Sequence, residues 1–427
     1  MFTEIDYSIF DFAVSLTEAV DLVSSDLNDH HKKVCYISYM IAKEMALTDN
    51  EIRDIALGAI LHDIGAFTCE EKLKIISPSM AFHDDINNQH QYMGYKLLRD
   101  FQPFSKAATL IKYHHARFDK SANEIPIGSY IIHLADRISI LLDKRREVLG
   151  QIPEIMNAIE KRKAIFHPDT LDALRQIMKV EYFWIEACSL PVTVILSERI
   201  RFPRQIVDVE TIRSLAKLIS QVIDFRSRFT ATHSSGVAAV ALELAKILEF
   251  SERECKFIEI AGYLHDIGKL AISDDILEKN GTLNVEEFNE MRKHTYYTYA
   301  VLSKIKGFEQ VATWAAYHHE RLDGNGYPFH VKGANFTKLS RLVAVADIVT
   351  AITEDRPYRR GMSAEKATEI LSNMVTSGGI DEGIVAVVKE NFQHINGVRI
   401  KAQQDAQQKY NAFYDSEQDC GERYLSR

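Results

Sequence analysis

The sequence predicts an all-α protein built from two tandem helical bundles, and three observations carry that prediction. Apolar residues recur at helical spacing, as in VAAVALELAKILEF (Val237–Phe250), whereas alternating strand patterns between turn signals are scarce. The pentapeptide LHDIG at Leu61–Gly65 returns at Leu264–Gly268, an offset of 203 residues. No Gly/Ser-rich linker separates the copies, which argues for halves packed together and not flexibly tethered.

Bulk composition narrows the function classes. The chain has 427 residues, 46% hydrophobic and 26% charged, with a net charge of −9. That balance suits a globular protein and argues against a general binder of nucleic-acid polymers or anionic membranes, which would carry a basic excess. A small anionic substrate remains compatible, because a bound metal ion supplies local positive charge that composition does not count. The five cysteines lack C-x-x-C spacing, which fits a reducing compartment and argues against both a disulfide framework and a thiolate zinc site. The start, MFTEIDYSIF, has no basic stretch before an apolar core, and no apolar run reaches the length of a membrane span. A cytoplasmic location is expected.

The repeat is best followed through the histidines. Carried along the chain, the offset pairs His30 with His233 and His62-Asp63 with His265-Asp266 at 203, then His90 with His294 and His114-His115 with His318-His319 at 204. Asp136 pairs with Asp347 at 211. Ten of the sixteen histidines therefore fall into five pairs. The jump to 211 marks an insertion in the second copy, where GNGYPFHVKGANFT stands against the shorter KSANEIP. Of the six left outside the pattern, His83, His133, His167, His330 and His394 are expected to be ordinary core or surface residues.

In chain order, the N-terminal domain is expected over residues 1–200, the second over 205–405, and a polar tail over 406–427. The boundary is placed near SERIRFPRQ, Ser197–Gln205, where charge and a proline break the periodicity. Capping-box patterns at Thr48/Glu51, Ser251/Glu254 and Asn284/Glu287 mark helix starts. His265-Asp266 is expected to close a helix at Gly268 through a left-handed glycine. His318-His319 should end a second helix, His294 and Asp347 should lie inside two more, and His233 near the start of a fifth. Ligands from separate helices could then converge in one bundle interior.

Neutral imidazole suits iron, zinc, copper and nickel, while carboxylate suits harder ions such as manganese. Five histidines and two aspartates exceed the needs of one ion. Asp266 can bridge two, and a pair of ions about 3.5–4 Å apart suits in-line displacement at phosphorus. Lys269 can neutralise a phosphate oxygen as a point charge. Arg356 and Arg359 in EDRPYRR are spaced to clamp a phosphodiester.

Together, THSSGV, LHDIGK, His294, YHHERLDGNGYP and ADIVTAITEDRPYRR make the stretch from Gln205 to about Asn391 resemble the HD-GYP phosphodiesterases, a branch of the HD metal-dependent phosphohydrolases. The resemblance implies an all-helical fold, a metal centre of iron or manganese, and hydrolysis of a cyclic dinucleotide, cyclic di-GMP or cyclic GMP-AMP, to linear dinucleotide or mononucleotides. It assigns His233, His265, Asp266 and Asp347 to one metal and Asp266, His294, His318 and His319 to a second. It assigns Lys269, Asp323, Tyr327, Arg356 and Arg359 to substrate contact, with Asp266 and Lys269 catalytic. Members with a third metal carry an acidic residue four positions before the first histidine; Phe229 stands there, so two divalent ions are expected.

The first half resembles an HD domain without the GYP loop. It keeps His30, His62, Asp63, His90, His114, His115 and Asp136 as a possible metal site. Ala66 stands at the position of Lys269, the position of Arg359 falls near Val148, and Arg145 matches Arg356. A regulatory role is favoured for this half over a second catalytic or ligand-sensing site. Two rivals to the whole reading remain: a non-catalytic cyclic-dinucleotide receptor, and a nucleotide phosphohydrolase of the broader HD group. A second copy of the chain or a signalling protein are the partner classes left open beside the substrate.

Overall fold

The computed structural model describes residues 5–21, 29–77, 82, 89–121, 124–189, 192–200, 202, 205–225, 231–279, 281–355 and 360–415. It is almost wholly helical. The chain divides into two compact units, Ser8–Gln205, and Ile206–Arg427 together with Met1–Tyr7.

The first unit contains α1 (Ile9–Asp21), α2 (His30–Glu44), α3 (Asp49–Ile60), α4 (Cys69–Ile75), α5 (Gln89–Leu98), α6 (Ser105–Lys112), α7 (Ile127–Leu141), α8 (Ile152–Glu160), α9 (Pro168–Ile177), α10 (Glu181–Ala187) and α11 (Val192–Arg199). α2 is its centre and packs against α3, α7 and α9. Its Val34, Ile37 and Ile41 are fully buried, as expected for a helix covered on several faces.

The second unit repeats the plan with α12 (Val209–Asp224), α13 (His233–Ile247), α14 (Glu252–Leu264), α15 (Asp274–Leu277), α16 (Val285–Leu302), α17 (Glu309–Ala316) and α18 (Lys338–Thr353), and adds α19 (Ala364–Thr376), α20 (Glu382–Glu390) and α21 (Phe392–Asp415). α13 takes the place of α2, packed against α14, α18 and α21. All three capping boxes form, at Thr48, Ser251 and Asn284. No described helix is long and apolar enough to cross a membrane.

Three features differ from the sequence expectation. First, two short strands exist: Ile5–Tyr7 pairs with Gln205–Val207, which is why the first residues group with the second unit and not with the first domain. Second, the segment after residue 405 is not a tail up to Asp415. α21 continues through it, Phe413 packs on Phe225 at 4.9 Å, and the Tyr414 hydroxyl donates to the Phe225 carbonyl at 3.1 Å. Aromatic residues among the glutamines supply the apolar face that keeps this helix docked.

The third difference concerns Gly268. It does not take a left-handed conformation; α14 ends at Leu264 and a tight turn, Ile267–Ala271, follows. The glycine is required by closeness. A Cβ there would lie 1.9 Å from the His294 carbonyl oxygen and 2.7 Å from the Thr298 nitrogen. Thr298 completes the junction, its Oγ1 donating to the His265 carbonyl at 2.9 Å and accepting from the Gly268 amide at 3.1 Å. Gly65 plays the same part in the first unit, where a Cβ would lie 2.2 Å from the His90 carbonyl oxygen. Gly268→Ala should therefore cost about 1–3 kcal/mol, the range for overpacking a tight contact. Gly397→Ala, with nothing near its Cβ position inside α21, should be neutral or stabilising by up to about 1 kcal/mol. Urea denaturation of both variants measures the contrast.

Candidate metal centres

Each helix end brings its polar groups to the interior because the neighbouring residues are apolar and buried. In the second unit His233 opens α13, and His265 and Asp266 follow α14. His294 lies within α16, His318 and His319 form the tight turn after α17, and Asp347 lies within α18. His233, His265, Asp266, His294, His318 and Asp347 are all buried.

The geometry gathers them into contiguous sets. His233 Nε2 lies 3.1 Å from Asp347 Oδ1, and His265 Nε2 lies 3.2 Å from Asp266 Oδ2 and 4.0 Å from Asp347 Oδ1. The other Asp266 oxygen lies 3.5 Å from His294 Nε2 and 3.8 Å from His318 Nε2. His233–His265–Asp347, His265–Asp266–His318 and His294–His318–His319 each place one donor atom per residue within 4.8 Å of the others. Asp266 thus faces both sets, one oxygen to each.

Whether these groups fit a cation is decided by their protons. The Nδ1 atoms of His265, His294 and His318 donate to the carbonyls of Gly262, Met291 and Ala315 at 2.8, 2.6 and 2.7 Å. Each neutral ring therefore presents a lone pair from Nε2. The Nε2 atoms of His294 and His318 face each other at 3.2 Å, and both face Asp266 Oδ1, which has no directed hydrogen bond. Acceptors confronting acceptors in a buried space is costly unless a cation lies among them. The donor set fits divalent metal ions.

The electrostatics agree. Burial pushes His294 down to about 3 and holds His318 and His319 below the usual imidazole range, so these rings are neutral and ready to ligate. His233 goes the other way. Burial works against its charged form, but Glu354 and Asp347 outweigh that and push it up to about 10. An ion binding there must displace a proton. Despite burial, which favours the neutral acid, His265 and Lys269 hold Asp266 ionised well below the usual carboxylate range. Lys269 Nζ lies 2.6 Å from Asp266 Oδ2.

The first unit builds a matching cluster. His30 Nε2 lies 3.3 Å from Asp136 Oδ1, and His62 Nε2 lies 3.1 Å from Asp63 Oδ2. Asp63 Oδ1 lies 3.3 Å from His90 Nε2 and 3.6 Å from His114 Nε2. His30–His62–Asp63 and Asp63–His90–His114–His115 form the two sets. Nε2 of His30 and His62, Oδ1 of Asp63 and Oδ1 of Asp136 are buried without a directed hydrogen bond, so this cluster also fits a cation.

The substrate-side residues are less uniform. The Tyr327 ring lies tilted against His319, with ring centres 5.0 Å apart, and the guanidinium of Arg292, on α16, sits 4.9 Å from the tyrosine ring. Glu320, buried after the histidine pair, accepts from the Phe329 and Val331 amides at 2.7 and 3.0 Å and so fixes the return of the loop. Its counterpart is Ala116, in the half without the loop. Asp323 turns away to Arg321, 2.8 Å, and to the Asn325 amide, 2.8 Å. Arg145 is exposed and paired with Asp143 at 3.0 Å, Ala66 is buried, and Val148 begins a short helical turn. Arg356, Arg359, Phe229 and His83 lie outside the described residues. Among the other histidines outside the pattern, His133 is buried with its Nδ1 lacking a directed hydrogen bond, His31 bonds Asp21 at 2.6 Å, His167 caps α9 through the Asp169 amide, His330 bonds the Gly324 carbonyl, and His394 pairs with Glu243.

Two features were missed. Glu354, just past α18, accepts from His233 Nδ1 at 3.1 Å and from Gln403 of α21 at 3.0 Å. Asp21 and Asp224 end α1 and α12, and each braces the residue after the first histidine. Asp21 accepts from His31 at 2.6 Å and Asp224 from Ser234 at 2.8 Å. The signal was available, since Asp21 and Asp224 are themselves separated by the repeat offset of 203.

Two outcomes follow. Glu354→Ala removes the group that orients His233, and metal affinity should fall about 10- to 100-fold, read by chelator competition. In metal-free protein, rings with lowered pKa, His90 at about 4 and His294 at about 3, withdraw stability as pH falls below their ordinary 6.5. Rings with raised pKa, His62 at about 9 and His233 at about 10, contribute stability that is complete below 6.5 and lost as pH rises through those values. These rings therefore place the maximum of thermal stability near pH 6.5 in melts of chelator-stripped protein.

The comparisons with known proteins point the same way. The family described as HD domain matches residues 28–141 and again residues 216–384. A 3'3'-cGAMP-specific phosphodiesterase 1 of Vibrio cholerae serotype O1 is 31% identical over 400 residues, covering 88% of this chain and 90% of its own length. A cyclic di-GMP phosphodiesterase of Pseudomonas aeruginosa is 39% identical over 140 residues, 33% of this chain and 34% of its own. A solved structure of a cyclic GMP-AMP specific phosphodiesterase of V. cholerae shares the fold, with a TM-score of 0.63 at 20% identity over 91% of this chain and 98% of that one. Two HD domains in one chain, the second bearing the Gly-Tyr-Pro loop beside its histidine pair, and a relative matched over most of both lengths establish that this protein belongs to the HD-GYP family.

Proposed function

We propose that the chain is a metal-dependent phosphodiesterase that opens a cyclic dinucleotide, with the second unit carrying the chemistry. The observation that supports this most is the confrontation of buried lone pairs around Asp266, which a pair of divalent ions resolves. His233, His265, Asp266 and Asp347 would hold one ion and Asp266, His294, His318 and His319 the other, with iron or manganese implied by the resemblance to the HD-GYP phosphodiesterases. Bound ions of this kind activate water and stabilise the charge that develops on the phosphoryl oxygens.

The chain's own residues do the rest. Asp266 stays ionised because His265 and Lys269 favour its charge. The Lys269 ammonium, which donates to that carboxylate at 2.6 Å, is placed to donate to a phosphate oxygen at the same centre. Tyr327 presents an aromatic face beside His319, held by the Glu320 anchor, and suits a nucleobase or ribose. Arg356 and Arg359 are assigned to the phosphodiester on sequence grounds. The engagement of Asp323 with Arg321 makes it a support of the turn more than a substrate contact.

The relative that spans both units is named for 3'3'-cGAMP, whereas the cyclic di-GMP relative matches a third of the chain, so 3'3'-cGAMP is the favoured substrate. The first unit lacks the lysine, the loop and the glutamate that anchors it, and is assigned a regulatory role. The free thiols of Cys35, Cys188 and Cys255 suit a reducing cytoplasm.

Reconstituted with iron or manganese without oxygen, the full chain should linearise 3'3'-cGAMP faster than cyclic di-GMP. Asp266→Ala, which removes the bridge between the two ligand sets, should lower turnover at least about a thousandfold. Retained turnover in that variant defeats the mechanism; equal rates on the two nucleotides defeat only the substrate preference.

A further inference from the structure

One residue that differs between the two clusters touches both Asp136 and His115 in the first unit. After Asp136, α7 carries Arg137; after Asp347, α18 carries Ile348. Arg137 is buried at 4% exposure. Its Nη2 lies 3.0 Å from Asp136 Oδ2 and 2.9 Å from His115 Nδ1.

A guanidinium only donates, so His115 Nδ1 accepts and the proton of the neutral ring resides on Nε2. That orientation is opposite to the one imposed on His62 and His114, whose Nδ1 atoms donate to the Ala59 and Ile111 carbonyls at 2.9 and 2.7 Å. His115 Nε2 lies 3.0 Å from His90 Nε2 and donates to it. Arg137, His115 and His90 therefore form a directed chain of donors. In the second unit the Nε2 lone pairs of His294 and His318 face each other and Asp266 Oδ1; here the His115 N–H answers the His90 lone pair, while His114 Nε2 and Asp63 Oδ1 still face the same space. The guanidinium also adds a permanent positive charge beside the position where a second cation would need to settle.

We infer that the N-terminal centre holds a single divalent ion, on His30, His62, Asp63 and Asp136, and that Arg137, acting through His115, occupies the electrostatic role of the second. Such a centre lacks the paired ions of in-line phosphodiester cleavage. It marks the first unit as a binding module built on the frame of a hydrolase. The inference rests on the reading of both clusters as metal centres.

Metal content by mass spectrometry, on full-length protein loaded with manganese(II) and freed of excess, tests it. Wild type should hold three ions per chain. His265→Ala/Asp266→Ala, which dismantles the second centre, should leave one. In that background Arg137→Ile, copying the residue after Asp347, should raise the count to two, while Arg137→Lys should leave it at one. His115→Ala should also leave one ion, and this arm does not depend on how the arginine variants fold. Two ions with Arg137 intact, or loss of the ion in His115→Ala, overturns the inference. A wild-type chain that binds no ion overturns the reading of the centres itself, whereas ions confined to the second unit overturn only this proposal.

Discussion

The fold is organised around a buried excess of hydrogen-bond acceptors. In the second unit three imidazoles are oriented by carbonyls of their own helices, so that their free nitrogens converge on one aspartate. Hydrophobic packing alone would not choose such an arrangement, because each unanswered lone pair opposes folding. The helices around it must therefore be held by other means. The buried faces of α2 and α13, the capping boxes that set where α3, α14 and α16 begin, and the glycine junctions at Gly65 and Gly268 supply that framework. The glycine junctions matter most, since they let one helix approach the backbone of the histidine-aspartate turn and deliver His90 or His294 beside it.

The orientation of each ring follows from a local rule. A histidine at a helix end, or just beyond it, meets the carbonyl three residues earlier, and this fixes which nitrogen faces inward. His233 opens its helix and has no such carbonyl. It relies on Glu354 across the bundle, which is in turn held by Gln403. That dependence ties the last long helix to the first histidine of the site, and it gives the ordered run of α21 to Asp415 a purpose beyond covering apolar surface.

Much of the site was legible in the sequence because spacing survives folding. Histidine and aspartate types recur at a nearly constant offset, and such chemistry has few other uses. The all-helical class was legible for a similar reason, through period and caps. What escaped depends on three-dimensional closeness. Gly268 reads as a helix terminator, and only the path of α16 shows that it is a contact point. Glu354 sits among arginines that draw attention to phosphate. Asp21 and Asp224 share the repeat offset but brace helices instead of facing the ligands. Arg137 is one unremarkable substitution for an isoleucine until its distance to His115 is known. The short strands carry too few residues for alternation to register.

The pairing of Ile5–Tyr7 with Gln205–Val207 has a consequence for biosynthesis. Ile5–Tyr7 is synthesised before the intervening unit and must wait for its partner until that whole unit has been made. The first unit is thus topologically an insert, bracketed by two halves of one ribbon that belong to the other. Any rearrangement that removes Ile5–Tyr7, or moves the second unit to a different gene, severs that ribbon and leaves an unmatched edge.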